Sequence, residues 1–263
     1  MPELPEVEIM ARNLDGWMRG HRLKAVEVVD DKLRAEPFSL VTGDTVVSVW
    51  RRAKYAVIDF SQGHHLVLHY RMTGKTVLDP SRMRRARLRL LLSEGTCVAF
   101  EDTRRFGTVQ VIRGPALAAF FTDKRLGPEP WPERRDGRWW SAQLAGLRGP
   151  IKPAMMRQER VAGLGNIAAT EVCFRAGIHP AMNVPAIEAA QWARIASAVH
   201  GFIDHTLAVE SGPELSYVNQ GGEGSFSVYG HAGAACTVCG AEIVRMVQSG
   251  RGTFFCPVCQ PLS

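Results

Sequence analysis

The 263-residue chain is long enough for two ordinary domains, and a hydrophobic content of 46% gives each of them a core. Its 32 lysines and arginines stand against 26 aspartates and glutamates, a net charge of +6 that suits a polyanionic partner without requiring one. No stretch approaches the ~18 uncharged apolar residues of a membrane span, and the start is acidic rather than basic and apolar, so a soluble, cytoplasmic protein is expected.

The opening run Met1-Pro2-Glu3-Leu4-Pro5-Glu6 carries two readings. Proline and acidic residues are what the first turn of a helix prefers. Removal of Met1, however, leaves Pro2 with a free secondary amine, and α-amino groups titrate near pH ~8, far below lysine at ~10.4. Such an amine attacks a carbonyl carbon or a sugar C1′ and becomes an iminium, an electron sink for covalent catalysis. Glu3 and Glu6 are three residues apart, which puts both on one helix face beside the amine. There one can protonate a leaving oxygen while the other holds or moves protons.

Val7, Met10, Leu14 and Trp17 recur at helical spacing, predicting an amphipathic helix over residues 3–18 that stops near Gly20. Short β-type runs follow at 25–29, 45–49, 55–60, 65–69, 88–92, 97–100 and 108–112, a spacing that predicts a β-sandwich or barrel. Arg85-Ala86-Arg87-Leu88-Arg89-Leu90 alternates arginine with apolar residues and predicts one basic and one buried face. That basic face is either a stripe against DNA or simply a solvated sheet face. Cys97 and Cys173 sit in apolar surroundings and are read as buried packing residues.

Residues 126–137, rich in proline, glycine and charge, read as a linker between domains. Beyond them the pattern turns helical, with candidates at 139–147, 153–157, 167–176 and 185–208. Val161-Ala162-Gly163-Leu164-Gly165-Asn166 is a turn leading straight into one of these helices. Such a turn aims backbone N–H groups at an anion, although many helix-turn-helix corners of this kind bind nothing.

The cysteines give the strongest purely chemical signal. Cys236-Thr-Val-Cys239 and Cys256-Pro-Val-Cys259, with 16 residues between the pairs, have the spacing of a four-thiolate zinc ribbon. A disulfide pair is the competing reading, disfavoured without a secretory signal. Four thiolates leave no open position, so a single structural zinc is expected. Between the pairs, two short strands at 242–247 and 253–255 flank a glycine-rich tip that presents Arg251, either to a phosphate or to solvent.

Several motifs together resemble the bacterial formamidopyrimidine-DNA glycosylases. They are Pro2-Glu3-Leu4-Pro5-Glu6-Val7-Glu8, Asp102-Thr-Arg104-Arg105-Phe106-Gly107, Ile151-Lys152-Pro153 and Val161-Ala-Gly-Leu-Gly-Asn166-Ile167. Phe174-Arg-Ala-Gly-Ile-His-Pro180, Val228-Tyr229-Gly230 and the four-cysteine finger complete the set, in the family's order, from residue 2 to about residue 260. The resemblance implies an α+β architecture: a catalytic β-sandwich with an N-terminal helix (1–129), a helix-two-turns-helix domain (130–225) and a zinc-ribbon hairpin finger (226–263), with DNA in the cleft between. It implies a bifunctional glycosylase and AP lyase that removes oxidised purines, 8-oxoguanine and formamidopyrimidines, from duplex DNA and cuts the strand by β,δ-elimination. A monomer is expected, associated with the nucleoid through its DNA substrate.

By the same resemblance Pro2 is the nucleophile, Glu3 protonates the deoxyribose ring oxygen and Glu6 supports the site. Lys54, His69, Asn166, Tyr229 and Arg251 match phosphate-gripping positions, and Lys152 matches a lysine important for purine lesions. Met72, Arg104 and Phe106 match the side chains that fill the gap left by an everted base. Leu4 and the Lys152 segment favour this branch over the endonuclease VIII branch, which prefers oxidised pyrimidines and usually begins Pro-Glu-Gly-Pro. A DNA-damage-binding protein that has lost turnover is the alternative from another class.

The chain also departs from the family. A tyrosine and an aspartate are replaced in Asn166-Ile167-Ala168-Ala169-Thr170-Glu171, which is expected to weaken DNA contact. The segment 217–228, which in the family closes over an everted 8-oxoguanine, is shorter, and Arg84-Arg85 replaces a usual lysine-histidine pair.

Overall fold

In the computed structural model, which describes residues 1–78, 86–212 and 226–262, a capping box starts the first helix, α1 (Leu4–Met18). Glu3 and Glu6 serve each other's backbone N–H groups, with Glu3 N–H donating to Glu6 Oε2 at 2.7 Å. Leu4, Val7, Met10, Leu14 and Met18 form the buried stripe. Trp17, expected in that stripe, is only half-buried, because Met18 takes the place one turn after Leu14.

The chain divides into two compact units, one of Met1–Lys124 with the stretch from Glu210, the other beginning at Arg125. In the first, α1 packs on β2 (Val46–Arg52) and β3 (Tyr55–Phe60). These strands continue into β4 (His64–His69) and β8 (Thr108–Arg113), forming an antiparallel sheet in the order β2-β3-β4-β8. The second sheet of the β-sandwich joins β1 (Leu23–Val28), β6 (Ala86–Leu92), β7 (Cys97–Glu101) and β5 (Lys75–Leu78), in the order β1-β6-β7-β5. Strand β5 and helix α2 (Gly114–Asp123) have no counterpart in the sequence pattern. The first is a four-residue edge strand, and the second buries no residue fully, so neither writes a clear apolar period.

The arginine alternation resolves differently from the expectation of one basic face. Arg87 is only 3% exposed, and its guanidinium donates to Asp30, to Asp102 Oδ2 and, at 2.6 Å, to the Gly107 carbonyl. Three convergent acceptors offset the loss of hydration that burial imposes on the charge. Arg89 pairs with Glu27 on the neighbouring strand at 3.0 Å, and Arg84-Arg85 lie outside the described residues. Cys97 is half-buried rather than buried, whereas Cys173 is fully enclosed.

The second unit contains α3 (Gly137–Gln143), α4 (Ile151–Met155), α5 (Asn166–Arg175), α6 (Ala189–Val209) and the hairpin of β9 (Val244–Gln248) with β10 (Arg251–Phe255). Asp136 caps α3 by accepting the Trp139 N–H at 2.8 Å. Helix α3 approaches α6 so closely that a Cβ on Gly137 would sit 2.6 Å from the Ala193 nitrogen. Residues 126–137, expected as a linker, are fastened to this unit: Gly127 N–H donates to the Gln158 carbonyl at 2.8 Å, and Arg135 N–H to His200 Nε2 at 3.0 Å. The finger is built onto α5 through an apolar cluster of Phe174, Val228, Ile243 and Phe254 around Cys236 and Cys256. Among the described residues no helix is long and apolar enough to cross a membrane.

Candidate active site and nucleic-acid interface

The capping box encloses the first group of candidate residues. Pro2 is buried, and Glu3 and Glu6 are each 2% exposed. Burial, and next the charge of Glu3, push the Glu6 carboxyl up to about 7, against the pull of its backbone hydrogen bonds. A carboxyl poised there holds a proton or releases one near neutrality.

Lys54 follows Ala53 in the two-residue turn between Arg52 and Tyr55, and Ala53 adopts a φ of 53°. Arg51 braces that turn to α1, donating to Glu8 Oε2 at 2.9 Å and to the Ala53 carbonyl at 3.0 Å. His69, at the end of β4, lies edge-on to Tyr55 with ring centroids 4.6 Å apart. Burial first, then the charges of Arg71 and Lys54, drive its imidazole down to about 3, so it is neutral. Its Nδ1 accepts the Arg71 N–H at 3.1 Å, which leaves Nε2 as the protonated nitrogen, a donor.

Met72 and Phe106 are 43% and 51% exposed, on the turn after β4 and the turn after β7. The Arg104 guanidinium lies over the Phe106 ring, 4.8 Å from its centroid. Both turns converge on the buried Asp102 carboxylate, which accepts the Thr73 hydroxyl, the Arg104 N–H at 3.1 Å and the Gly107 N–H at 2.6 Å. Glycine is required at both turns. A Cβ on Gly74 would meet the Tyr70 carbonyl oxygen at 2.3 Å, and one on Gly107 would meet the Phe100 ring at 2.6 Å.

In the second unit Lys152 is 1% exposed, and its ammonium donates to Asn166 Oδ1 at 2.7 Å and to Thr253 Oγ1 at 2.6 Å. Asn166 Nδ2 in turn donates to the Gly252 carbonyl at 3.0 Å. Lys152 and Asn166 therefore tie α4 and the start of α5 to the hairpin that presents the exposed Arg251. Lys152 and Arg251 share a cavity of about 390 Å³ with Arg148, Arg157 and Gln248. Tyr229 stacks edge-on against Phe254, and its backbone N–H donates at 2.9 Å to Glu171, a fully buried carboxylate that also accepts Ser227 and Val228 N–H.

Glu171, Asp102, Arg87 and Thr253 escaped the sequence reading as site residues. Arg87, a charge between Ala86 and Leu88, carried the one local signal, whereas Asp102 lies in a polar run and Thr253 is uncharged. Ala168 and Thr170 are fully buried, and the Thr170 hydroxyl donates to the Asn166 carbonyl, so both departures face the interior. Residues 217–225 of the segment read as a shortened lid lie outside the described residues.

The four cysteine sulfurs lie within 4.8 Å of one another, with Sγ–Sγ separations of 3.9 Å for Cys236–Cys259 and 3.4 Å for Cys239–Cys256. Tetrahedral zinc with Zn–S of about 2.3 Å spaces its sulfurs by about 3.8 Å, so the donor set fits. Backbone N–H groups of Val238 and Cys259 point at Cys236 and Cys256 sulfurs, the outer support such ligands use. This is a structural zinc site.

Residues 1–109 match the formamidopyrimidine-DNA glycosylase N-terminal domain, residues 126–215 the H2TH domain of the same enzymes, and residues 233–262 the zinc finger found in FPG and IleRS. The formamidopyrimidine-DNA glycosylase of Rhizorhabdus wittichii is 38% identical over 273 residues, and that of Sphingopyxis alaskensis 35% over 271. Each alignment covers 99% of this chain and 100% of the relative. Among solved structures, the complex of Lactococcus lactis Fpg with DNA containing an abasic site has a TM-score of 0.87 at 30% identity, covering 99% of this chain and 100% of that one. A complex of MutM with DNA containing carbocyclic 8-oxo-G has a TM-score of 0.86 at 30% identity and the same coverage. Full-length identity of this order, with three domain matches in sequence, places the chain in the formamidopyrimidine-DNA glycosylase family.

Proposed function

We propose that this protein is a DNA glycosylase and AP lyase of base excision repair that acts on oxidised purines in duplex DNA. The observation that carries the reading is the buried Glu3–Glu6 pair locked beside Pro2, with the Glu6 carboxyl near 7. Once Met1 is removed, the Pro2 amine attacks C1′ of an everted nucleotide and the base departs with its bonding electrons. Glu3 protonates the ring oxygen as the C1′–O4′ bond opens, leaving an iminium between Pro2 and C1′. The iminium acidifies C2′. Loss of that proton expels the 3′ phosphate, and a second elimination expels the 5′ phosphate.

The remaining candidates take positioning roles. Lys54, the Nε2–H of His69, Tyr229 and Arg251 are donors suited to phosphate oxygens. Asn166 offers its backbone N–H at the start of α5, since its side chain is engaged by Lys152 and Gly252. Lys152 acts by holding the Arg251 hairpin. Met72, Arg104 and Phe106 fill the gap in the stack. Lactococcus lactis Fpg has also been solved with DNA containing an oxidised pyrimidine, at 31% identity, so pyrimidine lesions belong in the test.

That test is incubation with duplexes carrying 8-oxoguanine, formamidopyrimidine, dihydrouracil or an abasic site, each split between borohydride trapping and strand cleavage. Trapping with cleavage at purine lesions is expected, and Pro2→Gly is expected to lose most of the cleavage. Activity confined to dihydrouracil or abasic sites refutes the purine assignment; binding without trapping on any substrate refutes the lyase.

A further inference from the structure

We propose that Arg87 and Asp102 are positioning residues for base eversion: one buried ion-pair network sets the turns that carry Met72, Arg104 and Phe106. The proposal rests on the function argued above. Side-chain exposure is 4% for Arg87, 4% for Asp30 and 0% for Asp102, so this guanidinium and the two carboxylates flanking it are enclosed together. Arg87 donates to both aspartates and to the Gly107 carbonyl, and lies 5.7 Å from the centre of the Phe100 ring. Asp30 also accepts two hydrogen bonds from Arg105, whose φ of 55° lies in the left-handed region. Arg105 sits between the two proposed wedge residues Arg104 and Phe106.

Neither turn has a strand ladder of its own to fix it. Its placement comes instead from Asp102, which accepts from Thr73 beside Met72 and from the N–H groups of Arg104 and Gly107 on either side of Phe106. Thr73 Oγ1 also accepts the Arg104 N–H at 3.3 Å, a direct link between the turns. Met72 and Phe106 are too exposed for core packing to hold them, so the backbone anchor decides where they point. Arg87 fixes that anchor at its other end. Without it, Asp30 keeps Arg105, whereas the buried Asp102 carboxylate is left among the described residues with the Thr73 hydroxyl and two backbone N–H groups, and it must take up a proton or turn away. The two turns then lose their common reference.

A residue that only stabilises the fold affects every substrate alike. A residue that positions the wedge matters where a base must be levered out of a paired stack, and little where no base is present. Arg87→Met is therefore expected to slow single-turnover excision of an oxidised purine from a fully paired duplex at least about tenfold, a loss of wedge-assisted unstacking. Borohydride trapping at an abasic site in single-stranded DNA is expected to stay within about twofold of wild type, since no stacked base is displaced. In a Phe106→Ala background, Arg87→Met should cause no further loss on the paired duplex, because the two act as one unit. Asp102→Asn, which keeps an acceptor oxygen but not the charge, is read in the same way if Arg87→Met yields no folded, zinc-loaded protein.

Equal losses on both substrates overturn the proposal, as do no loss on either and a full additive loss in the Phe106→Ala background. Failure of both variants to fold also overturns it, since the network then sets the fold rather than the turns. If the wild-type protein neither excises nor traps on any substrate, the proposed function fails, independently of the network.

Discussion

Replacing Glu6 with glutamine tests the electrostatic tension at the N-terminus. The Glu6 carboxyl is enclosed, and its pKa rises from an ordinary 4.5 to about 7, chiefly through burial and secondarily through the charge of Glu3. A raised native pKa means that between these values the folded protein binds more protons than the unfolded chain, so stability falls as pH rises through the window. The gap from 4.5 to about 7, at ~1.4 kcal/mol per pH unit, places the full loss on the order of 3 kcal/mol by pH 8. Glutamine keeps an acceptor for the Glu3 N–H and carries no charge to desolvate. Urea unfolding followed from pH 4.5 to pH 8 is therefore expected to give similar stabilities for Glu6→Gln and wild type at the acid end. At the alkaline end the variant should lead by on the order of 3 kcal/mol. Excision should fall at the same time, because a proton-holding group is lost from the proposed site. Two stability curves that run parallel across the whole range would refute the buried, proton-holding Glu6.

His69 is held neutral by burial and by the neighbouring Arg71 and Lys54, so its NMR resonances should not titrate between pH 5 and pH 8; a midpoint near the ordinary 6.5 refutes this environment. The unfolded imidazole does protonate near ~6.5, so this residue's contribution to stability declines as pH falls through that value. Cys239→Ser removes one of four clustered thiolates, and bound zinc, measured by metal analysis, should drop from one per chain to near none. DNA affinity should fall with it, since Arg251 and Thr253 lie on the hairpin between the cysteine pairs. Retained zinc with full binding would refute the four-cysteine site.

Features encoded by spacing along the chain were legible without the structure. The sandwich strands showed as short runs between turn residues, and β3 spans the predicted Tyr55–Phe60. The zinc site was legible because ligand spacing is itself a local constraint. Elements without a repeating buried face were not. Helix α2 exposes every side chain at least partly, and β5 is a four-residue edge strand, so neither imposes a hydrophobic period. Residues 126–137 looked like free chain because proline and glycine mark a break in regular structure, which does not prevent the segment from packing against residues 158–162 and His200.

The sequence by itself determined the helix that carries Pro2, the β-sandwich, the helical region and the zinc ligands, because each follows from local periodicity or fixed spacing. Tertiary structure alone decided the fate of the charges. Arg87 alternates with apolar residues as a solvated arginine would, yet Asp30 and Asp102, 57 and 15 residues away, make it a buried hub. Lys152 finds Thr253 across 101 residues, and Glu171 finds the backbone of Tyr229 across 58. Whether a charged side chain is a free donor, a strut or a poised acid depends on which distant groups remove its water and replace it. That is a property of the packed chain, which no local pattern encodes.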